Sequence, residues 1–141
     1  MKNLHLLLVE DNEGDVLLTT EALRSGKVIN QISVAKDGKA AIDFLTREED
    51  LFNNNLPDLI LLDINLPKKS GHQVLQFIKN TDYLKQIPVI MLTTSSSDTD
   101  VELAYKNYVN CYITKPVEVQ EFMNAVREIE NFWMNIVTLP E

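Results

Sequence analysis

Leu59, Ile60, Leu61 and Leu62 follow one another without a polar interruption, and the run stops on Asp63. A strand with one wet face alternates apolar and polar residues; one that does not alternate is covered on both faces, as in a parallel sheet under helices. An acid closing such a strand lies at the carboxyl edge of the sheet, where open α/β folds place their chemistry. Asp63 is there as a nucleophile, a metal ligand or a turn residue, and the rest of the chain has to decide.

Strand and helix patterns alternate along the sequence. Residues 4–9 and 31–35 read as strands, as do 59–62, 89–92 and 111–114. Val16, Thr20 and Leu23 share one face of a first helix that Gly26 is placed to end, and Ala40, Ala41, Phe44 and Leu45 mark a second. Val74, Leu75 and Ile78 mark a third. Val101, Ala104, Tyr105 and Tyr108 recur at helical spacing in a fourth, with Asp98 or Thr99 as the expected N-cap. The last helix is expected over 119–136, striped by Phe122, Val126, Ile129 and Trp133. Five β/α units with right-handed crossovers predict a flavodoxin-like (βα)5 three-layer sandwich, its parallel sheet ordered 2-1-3-4-5. The polar stretch 47–57 is expected to be a surface loop.

The chain has 141 residues, which suits one domain spanning 1–141, and no output domain is expected after Lys115. Its formal net charge of −8 repels phosphate backbones and anionic lipid, so neither nucleic acid nor membrane is an expected partner. No stretch is apolar enough to span a bilayer, and a lone cysteine, Cys111, fits a reducing cytoplasm. Cys111 itself reads as a small buried apolar residue. His5 and His72 read as packing or surface residues, and no Gly-rich nucleotide loop is present.

In the predicted sheet the first, third, fourth and fifth strands are neighbours. They end in Glu10 and Asp11, in Asp63, in Thr93 with Thr94 and Ser95, and in Lys115 before Pro116. Taken singly, each has an ordinary reading as a helix start, a turn, a loop cap or a surface lysine. Together they form a phosphoryl-acceptor site. Carboxylates gathered in one place repel unless a cation sits among them. Mg²⁺ accepts one or two carboxylates and phosphate oxygens, and Lys115 adds a mobile positive charge. Asp63 can carry a phosphoryl group as an acyl phosphate while Thr93 moves to bond it.

These motifs are Leu-Val-Glu-Asp at 8–11, Leu-Leu-Asp-Ile-Asn-Leu-Pro at 61–67 with Gly71 beyond, Pro-Val-Ile-Met-Leu-Thr at 88–93 and Tyr-Ile-Thr-Lys-Pro at 112–116. With them the chain resembles the receiver domain of two-component response regulators from about residue 4 to 136. The resemblance implies that Asp63 is phosphorylated and that Asp11, Asp63 and the Asn65 backbone carbonyl bind Mg²⁺. It implies that Glu10 acts through a metal-bound water and that Lys115 contacts the phosphoryl group. Thr93 is the implied switching hydroxyl and Tyr112 the aromatic that turns inward with it. Such a protein catalyses only its own phosphorylation and dephosphorylation. Glu10 departs from the commoner Asp, and Thr94 stands where Ala or Gly is frequent.

The loop at 47–57, the Pro-Lys-Lys-Ser-Gly run, the Leu-Thr-Thr-Ser stretch and Phe132-Trp133 are similar to small regulators paired with phytochromes. That likeness implies a histidine kinase, phytochrome-like, or a histidine phosphotransfer protein as donor. Signalling is expected through the fourth helix, fifth strand and fifth helix, which Thr93 and Tyr112 border. A homodimer through that surface is the expectation if Phe132 or Trp133 is exposed; a fully buried pair is the alternative. Two other functions compete. A receiver-like module could bind partners without phosphorylation, although it has no need of the whole acid, hydroxyl and lysine set. A flavin carrier or aspartate phosphatase of similar topology would want a phosphate loop where Glu10 and Asp11 stand, or a second acid where Asn65 stands.

Overall fold

Successive side chains of a strand leave opposite faces of its sheet, so a strand buried on both faces feeds two cores. The computed structural model describes residues 4–24, 29–47, 55–115 and 120. Its strands are β1 (Leu4–Val9), β2 (Ile29–Ala35), β3 (Leu59–Leu62), β4 (Val89–Thr93) and β5 (Cys111–Thr114). Among the described residues the helices are α1 (Glu13–Arg24), α2 (Gly38–Leu45), α3 (Gly71–Lys79) and α4 (Asp98–Lys106). The strands form one parallel sheet in the order β2-β1-β3-β4-β5, as the alternation predicts.

Leu7, Val9, Ile60, Leu62, Val89 and Met91 send their side chains to one face. There they meet Ala41 and Leu45 of α2, Val74, Leu75 and Ile78 of α3, and Ala104 of α4. Leu6, Leu8, Leu59, Leu61, Ile90 and Leu92 serve the other face, with Leu23 of α1 buried against them. Burying one aliphatic side chain contributes about 1.5–3 kcal/mol. β3 is buried at all of its positions, so this central strand anchors the sheet and fixes where Asp63 stands. His5 has the expected packing role: its Nε2 lies 2.8 Å from Ser33 Oγ and its ring meets Phe44 edge-on. Cys111 is half-buried against the second core.

Helix starts follow local chemistry. Asp37 caps α2 by accepting the Ala40 amide, and Ser70 and Gln73 form a reciprocal capping box at α3. At α4 the cap is Ser97, not Asp98 or Thr99. Ser97 is the last residue with extended backbone (φ −65°, ψ 141°), and its Oγ reaches the Asp100 amide at 3.2 Å. Asp98 therefore falls in the first turn, where an acid meets the positive end of the helix dipole.

The α4 stripe also differs from its expectation. Ala104 is buried and Val101 half-buried, but Tyr105 is 51% exposed and Tyr108 76% exposed. The helix ends at Lys106, and Tyr108 (φ 67°) has left helical phase altogether. Gly26 as a helix stop, most of the 47–57 loop, and the 119–136 helix with Phe132 and Trp133 lie outside the described residues. Among those described, no helix is long and apolar enough to cross a membrane.

Candidate functional site

Strand register assembles the site. β1 and β3 pair Val9 with Leu62, and the Asp63 amide donates to the Val9 carbonyl at 3.1 Å, so Glu10 and Asp63 emerge side by side. β4 and β5 pair Thr93 with Thr114, and the Lys115 amide donates to the Thr93 carbonyl at 2.6 Å. Four strands thus end at one rim, where the order reverses between β2 and β3 about β1. Gly71 presses α3 onto this rim. A Cβ at residue 71 would lie 2.1 Å from the Asp63 carbonyl oxygen, so only glycine fits.

Glu10, Asp63, Thr93 and Lys115 are respectively 3%, 9%, 0% and 8% exposed, whereas Asp11 sits open at the rim. Lys115 Nζ donates to Glu10 Oε1, to Asp15 Oδ2 at 2.8 Å and to Asp63 Oδ2 at 3.5 Å. Asp63 Oδ1 accepts the Ile64 amide at 2.7 Å, and the exposed Asn65 approaches the same oxygen through its amide at 3.5 Å. Glu10, Asp11 and Asp63 each offer a carboxylate oxygen within 4.8 Å of the others.

Two carboxylates at such separations repel by about 3–4 kcal/mol at an effective dielectric of 20, too much to leave unanswered. Burial pushes Glu10 up to about 8, with the neighbouring Asp63 adding to the rise and Lys115 opposing it. Burial works on Asp63 in the same sense. It is outweighed by hydrogen bonds from Glu10 and Thr93, the Lys115 charge and the Ile64 amide, so Asp63 ends below its usual range. Lys115 is pulled down by burial but raised overall by its bonds to Asp15 and Glu10 and by the charges around it. The surroundings therefore push the two acids apart, Glu10 upward and Asp63 downward. Oxygen-only donors with unmet negative charge fit a hard divalent cation.

The hydroxyl side of the site is tied to α4. Thr93 Oγ1 faces the Ser95 amide at 3.4 Å, and Tyr112 donates its hydroxyl proton to the Ser95 carbonyl at 2.6 Å. Ser95 Oγ in turn donates to Asp100 Oδ2 at 2.5 Å, and Asp100 Oδ1 pairs with His72 Nε2 at 2.9 Å.

The sequence profile of the response regulator receiver domain matches residues 6–127. The chain belongs to that family. This receiver is 44% identical over 135 residues to response regulator Rcp1 of Synechocystis, covering 96% of this chain and 92% of the relative. It is 42% identical over 129 residues to the probable methanogenesis regulatory protein FilR2 of Methanothrix harundinacea, covering 92% and 83%. The crystal structure of the phosphorylated cyanobacterial phytochrome response regulator RcpA superposes with a TM-score of 0.93 at 42% identity, covering 99% of this chain and all of that one. The Mn²⁺-bound form of Rcp1 superposes at 0.90 with 43% identity, covering 98% and 99%. The resemblance to receivers, and to their phytochrome-associated members, is thereby established, with the flavodoxin-like fold.

The receiver brings together all the residues expected from sequence: Glu10, Asp11, Asp63, Thr93 and Lys115 at one rim, Asn65 beside it, and Tyr112 one hydrogen bond away through Ser95. Three participants were not legible in advance. Asp15 contacts Lys115 from the first turn of α1, and the only hint is an acid one helical turn beyond Asp11. Asp100 looks like an ordinary first-turn acid, and His72 like a surface residue, until the fold joins them.

Proposed function

We propose that this receiver is a phosphorylation switch in which Asp63 takes a phosphoryl group from a phosphohistidine. The donor is a histidine kinase, in this reading of the phytochrome type, or a histidine phosphotransfer protein; the setting is the cytoplasm. One observation carries the reading: the buried Asp63 shares with Glu10 and Asp11 a set of carboxylate oxygens within 4.8 Å of one another, and the Lys115 ammonium reaches the same carboxylate at 3.5 Å.

In the transfer, a carboxylate oxygen of Asp63 bonds to phosphorus as the donor's P–N bond breaks, leaving an acyl phosphate and a free imidazole. Glu10, Asp11, Asp63 and the Asn65 carbonyl would hold Mg²⁺, which neutralises charge on the transferring group. Lys115 binds a phosphoryl oxygen. The Ile64 amide holds Asp63 in line, and burial of Thr93 and Glu10 keeps bulk water back. Thr93 then turns its hydroxyl to the phosphoryl group and releases the Ser95 amide, which frees Tyr112 to swing inward. The altered surface comprises α4 and β5. Exposed Leu103, Tyr105 and Tyr108 on and after α4 support docking there, with a second copy as one occupant. Apart from its own phosphorylation and dephosphorylation, the chain catalyses nothing in this reading.

Acetyl phosphate with Mg²⁺ should add one phosphate by intact-mass analysis, and chelation should prevent it. Asp63→Asn should abolish the addition; a variant phosphorylated as well as the parent would assign the chemistry elsewhere. Sedimentation with and without beryllofluoride tests the dimer, and a strict monomer in both states removes it.

A further inference from the structure

Asp15 belongs to none of the motifs at the strand ends, yet its Oδ2 takes an N–H of Lys115 at 2.8 Å. An ammonium group has three N–H donors. In this structure they go to Glu10, Asp15 and Asp63, and the contact to Asp63 is the longest at 3.5 Å. The acceptors differ in what losing the ammonium would do to them. Side-chain exposure is 3% for Glu10 and 11% for Asp63 but 30% for Asp15. Water can replace a lost partner only at Asp15.

A phosphoryl group on Asp63 adds charge and acceptors beside Lys115, which must then redirect an N–H toward it. Asp15 competes for that N–H with a full negative charge, from a different element and across 100 residues of chain. Resting on the reading of Asp63 as phosphoacceptor, we propose that Asp15 is a positioning residue that tethers the Lys115 ammonium in the resting state. The strength of that tether sets how readily Lys115 moves to the phosphoryl group. The residue lies outside the metal-binding acids and acts on the phosphoryl group only through Lys115.

Glu13 supplies the control for general charge effects. It occupies the same turn of α1, its side chain is 84% exposed, and it pairs with Lys36 at 3.4 Å. Beryllofluoride affinity in the presence of Mg²⁺, measured by calorimetry, is compared for the parent, Asp15→Asn, Glu13→Gln, Lys115→Met and the Asp15→Asn/Lys115→Met double variant. Asp15→Asn should tighten binding roughly five-fold, the size expected for a partly exposed charged pair. Glu13→Gln should leave it within a factor of two, and Asp15→Asn should have no effect once Lys115 is Met. In the metal-free protein, NMR signals of the Lys115 ammonium protons should be slow to exchange in the parent and broadened in Asp15→Asn. An Asp15→Asn effect that persists without Lys115, or that Glu13→Gln reproduces, overturns the tether in favour of plain charge reduction. An unchanged affinity in Asp15→Asn overturns it as well. A parent that does not bind beryllofluoride refutes the phosphoacceptor reading itself, and the tether with it.

Discussion

Removal of the divalent cation should make this protein less stable as pH rises through neutrality, and Glu10 is the cause. Its carboxyl moves from 4.5 to about 8 on folding, chiefly through burial. An acid with a raised folded pKa keeps a proton that the unfolded chain has already released. The unfolded state then binds fewer protons, so unfolding free energy falls with pH between those two values. Each pH unit is worth about 1.36 kcal/mol while the difference is a full proton, so roughly 2–3 kcal/mol should be lost between about pH 5.5 and 8. Asp63 does not disturb this window. Its pKa is lowered from 3.8, so its contribution is complete above that value and is lost only as pH falls through the folded pKa. Urea unfolding in chelator at a series of pH values measures the slope, and Glu10→Gln should remove it. Saturating Mg²⁺ should flatten the profile by displacing the Glu10 proton, and raise stability by mass action. A chelated parent whose stability is flat or rising from pH 5.5 to 8, or a Glu10→Gln variant with the parent's slope, would refute the assignment of the proton to Glu10.

Gly71→Ala should lower thermal stability by roughly 3 kcal/mol or more, because its Cβ would meet the Asp63 carbonyl oxygen at 2.1 Å and Ile64 Cα at 2.7 Å, both backbone. A melting temperature equal to the parent's would show that the α3 start is not seated as described. His72→Ala removes the hydrogen bond at 2.9 Å that ties α3 to Asp100 on α4, and should cost about 1–2 kcal/mol in urea unfolding. Tyr112→Phe deletes the bond to the Ser95 carbonyl and should cost about 1 kcal/mol; an unaffected midpoint would mean that water serves Ser95 equally well.

The sheet was legible because β1, β3 and β4 carry runs of apolar residues that no one-sided strand would have, and helical stripes separate them. Residue types at strand ends were enough to collect Glu10, Asp11, Asp63, Thr93 and Lys115, because parallel register carries a terminal position in sequence to a terminal position in space. What escaped depends on partners distant in sequence or on one local dihedral. The Asp15–Lys115 and His72–Asp100 pairs span 100 and 28 residues and leave no periodic trace. The α4 cap fell to Ser97 because three adjacent residues were all good caps and only backbone conformation chose between them. Tyr105 and Tyr108 fit a helical spacing, but periodicity cannot see that the helix stops at Lys106.

Two acids stand side by side at this rim, and in the proposed reading their surroundings decide which one attacks phosphorus. Both acids are buried, and at Glu10 burial together with the neighbouring Asp63 outweighs the help from Lys115, so its carboxyl is pushed up to about 8. At Asp63 burial is opposed by hydrogen bonds from Glu10 and Thr93, then by the Lys115 charge and the Ile64 amide, so its carboxyl is held below the usual range. Environments that push neighbouring acids apart in this way assign separate roles to them. In the proposed reading the same asymmetry would couple metal binding to the titration of Glu10, while Asp63 remains the more acidic of the pair. Exchanging the environments would require moving Ile64, whose amide is fixed by β3 and by α3 pressing on it through Gly71. In the proposed reading these surroundings, side chains first and the Ile64 amide last, mark Asp63 as the nucleophile, and a change at Glu10 should alter metal affinity and its pH dependence without relocating the phosphoryl group.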